Sequence, residues 1–518
     1  MRLIQNIPFI SIMLSILAGV VCFVCKGKRA ERVTLGALSV IAVLSALLLA
    51  DLWRTGESFV YMMGHFPAPW GNELRAGLLE ALMALAFSAV MLLSLSAGRD
   101  RIYDDIAEGR QGLYFLMINL LMSSLLALIY TNDIFTAYVF VEINTLAACA
   151  IVASKDTGET ITATIRYLIM SLLGSGMLLI AISLIYSVTG HLLMGQIIVS
   201  LSEIAASGAY AVPLAVVILL ISVGLAIKSA LYPFHTWLPS AHGSATTASS
   251  AILSGVVLKG YIILLLKIFY RVFGLEFIHQ LQVANLLFAF GLAGMIFGSL
   301  YALRERNVKR LLAYSSVAQV GYIFMGIGLS TTAGTVAACF HILAHAVTKP
   351  MLFCAADGLM EVSGHSRQIH DLKSAGHKNR LAGLAFTVGS LSMIGIPMLS
   401  GFVSKFYFAT ASLESPGKMV MTLLVLALST LLNAMYFVPV IITIFAHEDE
   451  GLEPGEELSF ADQFIPEAEA EEEEEPLPPH RSPLSYRLAM IAFILLNFLL
   501  GCGYGPVLEI IEKGLAMF

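Results

Sequence analysis

The 518-residue sequence predicts an all-α polytopic membrane protein with about 14 transmembrane helices. Three observations predict it. Apolar residue types make up 58% of the chain and charged ones 13%, whereas a soluble domain carries about a quarter charged residues. The apolar residues gather into runs of about 20, the length that crosses a bilayer core of about 30 Å. Large polar loops are few, and the short alternating segments of a membrane β-barrel are absent. This composition excludes a cytoplasmic enzyme, a nucleic-acid binder and a disordered chain.

The first run, 3–25, is as long as a span and has no small-residue cleavage site behind it. It reads as a helix rather than a signal peptide. Further spans follow at 33–52, 77–97, 112–131, 133–153 and 163–187. The seventh, 211–229, continues past Pro233, which lacks an amide hydrogen and breaks the helix. Spans at 246–270, 284–303, 309–329 and 332–360 come next. The twelfth, 380–410, is weakened by Gly395, Pro397 and Gly401; 419–446 and 485–505 complete the set.

The densest basic loops are 26–32 (KGKRAER), 304–310 (RERNVKR) and 361–380. They follow spans 1, 9 and 11, so all lie on one side, which the positive-inside rule makes the cytoplasm. Both termini are then outside. The segment 448–475 is inside; it holds 14 acids and no Lys or Arg, and is expected to be disordered. It hides a mildly basic remainder behind the net charge of −6. Broken spans 7 and 12 are an odd number of helices apart and run in opposite directions. That is the pattern of two inverted five-helix repeats, spans 4–8 and 9–13. The expected division is an N-terminal three-helix segment (1–111), a first half-channel repeat (112–271), a second (272–446), the acidic loop (447–484) and a C-terminal helix and tail (485–518). Cys22, Cys25, Cys149, Cys339, Cys354 and Cys502 all sit in apolar stretches and read as packing residues, with no disulfide and no metal.

A charge at the bilayer centre costs at least about 2.5–3.5 kcal/mol on insertion scales, so ionisable residues there are candidates for function. Glu142 lies ten residues into the run that holds FVEINTLAACAIVA and is poorly placed to reach water. Lys228 lies in VGLAIKSALYPFHTWLP, just before the break at Pro233; for Glu142 a static buried pair is the plain alternative. Lys259 lies in span 8, and Lys405 sits beside the weak points of span 12. In CFHILAHAVTKPMLF, His341, His345 and Lys349 recur every fourth residue and share one helix face. Two histidines there suit a proton relay; a hydrogen-bonded packing face is the simpler reading. A zinc protease is rejected, because no Glu follows the first His and no third ligand is near. Asp357, Lys267 and Arg166 lie nearer helix ends, where snorkelling competes with function. The sequence carries no phosphate-binding loop, no nucleophile–base set and no cofactor signature. No catalytic site and no cofactor are expected.

These motifs carry a resemblance. From about 132 to 407 the chain resembles the antiporter-like proton-translocating membrane subunits shared by three assemblies. They are respiratory complex I (NADH:quinone oxidoreductase), multisubunit sodium/proton antiporters (their D-type component) and membrane-bound hydrogenases. LYPFHTWLPSAH is the most specific stretch, with FVEINTLAACAIVA, ILSGVVLKGYIILL, FHILAHAVTKPMLF and MLSGFVSKFYF beside it. FVYMMGHFPAPWGNEL, before span 3, resembles the antiporter and hydrogenase branches. The chain ends soon after span 14, without the long lateral helix of the largest complex I subunit of this kind, which favours a shorter branch.

The resemblance implies that Glu142 and Lys228 form the ion pair of a first half-channel. Lys259 would link it to the centre, and His341, His345 and Lys349 would carry the polar axis to Lys405 on the exit side. The expected function is a proton- or cation-translocating subunit of a multisubunit complex. Other membrane subunits, lipid and protons are its partners, sodium is a second candidate ion, and there is no nucleic acid. A stand-alone transporter of a small solute is the alternative. It would require a pocket with substrate-specific groups, where the sequence shows a line of titratable residues.

Overall fold

An apolar segment in lipid has to satisfy its own backbone, which makes helix the default state. The computed structural model is helical almost throughout. It describes residues 3–25, 27–66, 71–206, 210–280, 282–446 and 482–518; the acidic segment 448–475 lies outside these. Among the described residues twelve helices are long and apolar enough to cross a membrane.

The N-terminal part comprises α1 (Ile7–Val24), α2 (Lys28–Thr55), a hairpin of β1 (Phe59–Met62) and β2 (Glu73–Ala76), α3 (Leu78–Ala97) and the short α4 (Arg99–Asp105). Next come α5 (Glu108–Tyr130), α6 (Ile134–Ala153), α7 (Gly158–Thr189), α8 (Met194–Ala206), α9 (Ala211–Lys228) and α10 (Trp237–Ser244). The eighth apolar run is continuous over Thr247–Phe273. Within it α11 (Thr247–Ile252) and α12 (Leu258–Ile268) are separated by a π turn at Leu253–Val257, and a second π turn, Phe269–Phe273, closes it. After α13 (Leu275–Gln280) follow α14 (Val283–Arg304), α15 (Val308–Gly328), α16 (Thr332–Glu361) and the one-turn α17 (Ala375–Lys378). The chain continues with α18 (Arg380–Ile394), α19 (Ser400–Ser412), α20 (Pro416–Phe445), α21 (Leu484–Cys502) and α22 (Tyr504–Ala516).

The two ends of the bundle are fixed by different contacts. At one end Leu74 bridges to Thr131 and Asp133 to Leu193, and Phe9 stacks on Tyr61 of the hairpin. Phe518 packs against Tyr270 there. At the other end Asn307 bridges to Gln368, Arg99 pairs with Glu31 at 2.7 Å, and Arg101 with Asp357 at 3.2 Å. The three basic loops thus share one end, and the first and last described residues lie at the opposite one.

Burial grades from rim to centre. α2, α7 and α21 turn most of their apolar windows outward, whereas Thr247–Phe273 and α16 are wholly enclosed. Every residue of α16 from Gly334 to Met360 is buried.

The structure departs from the sequence reading in several places. The sequence predicts an all-helical chain, and the FVYM and ELRA segments instead pair as an antiparallel hairpin, with Phe59 opposite Ala76. Two backbone segments at a bundle end, clear of the apolar runs, satisfy each other's amides this way. The seventh run stops at Lys228, ahead of Pro233, where Ala230 takes a positive φ of 56°. The twelfth run is two helices, α18 and α19, with Gly395 at φ 98° ending the first. Beyond the last expected span, α22 adds a helix whose buried face packs on α3.

Candidate ion-translocation site

Lys228 is the last residue of α9, and its position follows from helix packing. α7 and α9 cross at Gly174 and Gly224, where a Cβ on either would lie 2.6–2.7 Å from the other's carbonyl oxygen. This close approach brings the lysine inward, with no side-chain exposure. Its Nζ donates to Thr145 Oγ1 at 2.7 Å and lies 3.8 Å from Glu142 Oε1. The surroundings form a polar net between α5, α6 and α12. Tyr261 Oη lies 3.3 Å from Thr145 Oγ1 and donates to Asn144 Oδ1 at 3.0 Å, and Asn144 donates to Ser124 at 3.0 Å. Lys228 Nζ sits 5.5 Å from the Tyr261 ring centroid. The sequence puts Glu142 deep inside, but its side chain is 25% exposed on the outer face of α6. It shares that face with Phe135, Val139 and Leu146, all exposed.

Two residues before Tyr261, Lys259 is fully enclosed and donates to the Ser254 carbonyl in the π turn. A π turn shifts the backbone register and reopens a carbonyl to an outside donor, a device frequent at functional sites. Ser254 Oγ lies 3.0 Å from Ser316 Oγ on α15. On the facing α16, Lys349 donates to the Leu312 carbonyl at 2.9 Å and to Ser315 Oγ. His345 and His341 stack with ring centroids 6.1 Å apart. His242 of α10 is fully buried and stacks on Phe353 at 4.8 Å. Neither ring nitrogen of His345 or His242 has a protein hydrogen-bond partner. Buried polar atoms are nearly always satisfied, so these four nitrogens are places that ordered water suits.

The axis then passes to α19. His341 Nδ1 lies 2.9 Å from Ser404 Oγ, one residue before Lys405. Tyr322 stacks on His341 at 5.5 Å and also lies beneath Lys405 Nζ at 5.3 Å, so one ring touches both groups. Lys405 Nζ donates to the Ile394 carbonyl at 2.8 Å and to Thr430 Oγ1 at 3.1 Å. Ile394 is the last residue of α18, and a helix end leaves its final carbonyls without intrahelical donors. Gly395 makes the break possible. Its φ of 98° is a region closed to most side chains, and a Cβ there would lie 2.9 Å from Lys405 Cδ.

All seven residues singled out in the sequence therefore line one band through the bundle, from α6 to α19. Of the three nearer helix ends, Lys267 does not snorkel: it is fully buried and caps the end of α5, donating to the carbonyls of Leu128 (3.2 Å), Ile129 (2.7 Å) and Thr131. Asp357 is buried and paired with Arg101. Arg166 is exposed. Several groups escape the sequence reading. Glu80 and Arg271 form an ion pair with side chains 1% and 3% exposed. His242, Tyr261 and Tyr322 join the band itself. Glu80 opens α3 and Arg271 closes the eighth run, so each looks like a boundary charge; only their proximity across 191 residues marks them.

The family described as NADH:quinone oxidoreductase/Mrp antiporter, transmembrane, matches residues 131–432. The chain is similar to NADH-quinone oxidoreductase subunit N of Desulforudis audaxviator, with 34% identity over 413 residues that cover 78% of this chain and 79% of the relative. It is similar to the D-type component of the Na(+)/H(+) antiporter of Bacillus subtilis, with 27% identity over 504 residues covering 96% and 94%. Its fold matches a chain of the membrane-bound sulfane sulfur reductase, an archaeal respiratory membrane complex. The TM-score is 0.84 at 23% identity, covering 100% of this chain and 98% of that one.

Proposed function

This integral multi-pass membrane protein belongs to the NADH:quinone oxidoreductase/Mrp antiporter transmembrane family, and we propose that its buried band moves protons between the two faces of the membrane. The observation that carries the reading is the row of four lysines, Lys228, Lys259, Lys349 and Lys405, set on separate helices with two histidines between them. Isolated structural lysines would be expected to reach toward the membrane surface. Here each ammonium is held by hydroxyls, carbonyls and ring faces, which accept a charge without fixing it permanently.

Glu142 and Lys228 act as the entry pair. An ion pair near 4 Å at an effective dielectric of about 20 is worth about 4 kcal/mol, roughly a factor of a thousand in a proton-binding constant. Opening or closing that pair changes the field at Lys259, and the change passes to His345, His341 and Lys405. Water at the unpartnered histidine nitrogens completes the path. The two half-channels correspond to residues 112–271 and 272–446, related as inverted repeats around the breaks at Lys228 and Lys405. The N-terminal segment 1–111 and the C-terminal segment 485–518 brace them.

The basic end faces the cytoplasm, which sets both termini outside and the acidic loop inside the cell. The protein works beside other membrane subunits, as the names of its relatives describe for them. Protons are the primary ion and sodium the second candidate. The deciding experiment measures proton movement in inverted vesicles with Lys228→Ala and Lys405→Ala variants that insert and assemble normally. Loss of translocation in both is expected, and unimpaired pumping by either refutes the path. A tag inserted at Glu472 should react only from the cytoplasmic side; labelling of intact cells from outside would reverse the orientation.

A further inference from the structure

We propose that the cleft between α7 and α10 at the basic end of the bundle binds the headgroup of an anionic phospholipid. The cleft has a volume of about 450 Å³, and Thr162, Arg166, Pro239, Ser240, Gly243 and Arg310 line it. Pro239, Ser240 and Gly243 lie on one face of α10, the helix beyond the break that follows Lys228. A headgroup in the cleft therefore rests directly on the second half of the broken helix.

Three observations select the occupant. The first is charge. Arg166 is exposed and has no ion-pair partner among the described residues. The other charges of the cleft are engaged: Glu159, which also lines it, pairs with Arg367 at 3.3 Å, and Arg310 pairs with Glu305 at 3.1 Å, its stem lying over Gly243. The unmatched charge is thus a cation, with a second guanidinium beside it. Guanidinium groups match phosphate oxygens in pairs.

The second is depth. α7 is 32 residues long, about 48 Å at 1.5 Å per residue, against a hydrocarbon core of about 30 Å. For α7 upright and centred in that core, about 9 Å of helix projects at each end. Arg166 is about 12 Å from the start of α7, at the boundary between acyl chains and headgroups. The third is continuity. Beside the arginine and onward along the helix, α7 presents Ile165, Ile169, Leu172, Leu173 and Ile180 outward, each more than half exposed. They form a single stripe along which an acyl chain would lie. A free phosphate would have no use for such a stripe.

The test uses the full-length protein, purified with whatever subunits accompany it, and phosphatidylglycerol or phosphatidylcholine added in detergent. Bound lipid is counted by native mass spectrometry. The parent should retain phosphatidylglycerol in preference to phosphatidylcholine. R166Q/R310Q should lose that preference by on the order of twentyfold, since each basic group near a membrane surface contributes about fivefold. R166K/R310K should keep most of it, which separates lost charge from lost folding. Equal retention by parent and R166Q/R310Q, or no preference in the parent, overturns the proposal. So does displacement of the lipid by millimolar inorganic phosphate, which would mark a site for the free anion. A photoreactive residue placed at Thr162 should capture lipid in native membranes; capture of a protein subunit instead would show that the cleft is a subunit interface.

Discussion

The two breaks in the bundle hold their lysines in different company. Where α9 ends, Lys228 faces a hydroxyl at 2.7 Å and a carboxylate at 3.8 Å. Where α18 ends, Lys405 faces a carbonyl, a hydroxyl and the ring of Tyr322, all neutral. The first lysine loses a counter-charge when it gives up its proton; the second loses only dipoles. A neutral site costs less to empty, because no unpaired carboxylate is left behind. On the proposed reading the first break is built to hold a proton and the second to hand it on.

The strongest way to break this comparison is a double-mutant cycle at the first site. Lys228→Ala should reduce translocation by on the order of a hundredfold or more, the range for removal of a proton-transferring group. Glu142→Gln should lose nearly as much, and the double variant should be no worse than either. Additive losses in a vesicle pumping assay would separate the two residues. The centre comes next. His341→Gln/His345→Gln keeps hydrogen bonding and removes the ring nitrogens that can bind and release a proton. It should insert and assemble normally yet pump at about a tenth of the parent rate or less; full pumping would leave the rings a packing role alone.

A sharper test makes the second break resemble the first. Thr430→Glu places a carboxylate beside Lys405. It should slow turnover by about tenfold for every 1.36 kcal/mol by which the new pair holds its proton. An unchanged rate would show that neutrality there does not matter. The smallest effect is expected from Gly395→Ala. A Cβ at φ 98° costs about 1–2 kcal/mol and presses on the Lys405 stem. A lowered thermal midpoint with a few-fold loss of pumping is expected; a larger loss than that of Thr430→Glu would invert the order argued here.

Much of this is legible because lipid simplifies the code. A span announces itself by an apolar run, and an ionisable residue inside one is costly enough to stand out. Lys228, Lys259 and Lys349 each stand out that way, and each is enclosed in the structure. The same logic fails at the ends of runs. Lys267 and Arg271 have a plausible route to water, and nothing in the sequence shows that α5 ends against one and Glu80 against the other. Tyr261 and Tyr322 are invisible for the opposite reason: a tyrosine in an apolar helix costs little, so its place on the band emerges only from packing. Glu142 misleads in a third way, since a continuous helix does not reveal which face it turns outward.

α16 carries three of the band's residues and has no face on lipid. A buried helix of this kind cannot tilt or rotate without repacking neighbours on every side, and interiors packed to crystal density resist that. Large helix strokes are therefore a poor vehicle for passing a signal along it. On the proposed function the bundle would work more like a capacitor: its plates stay fixed, the charge between them moves, and work is stored in the field.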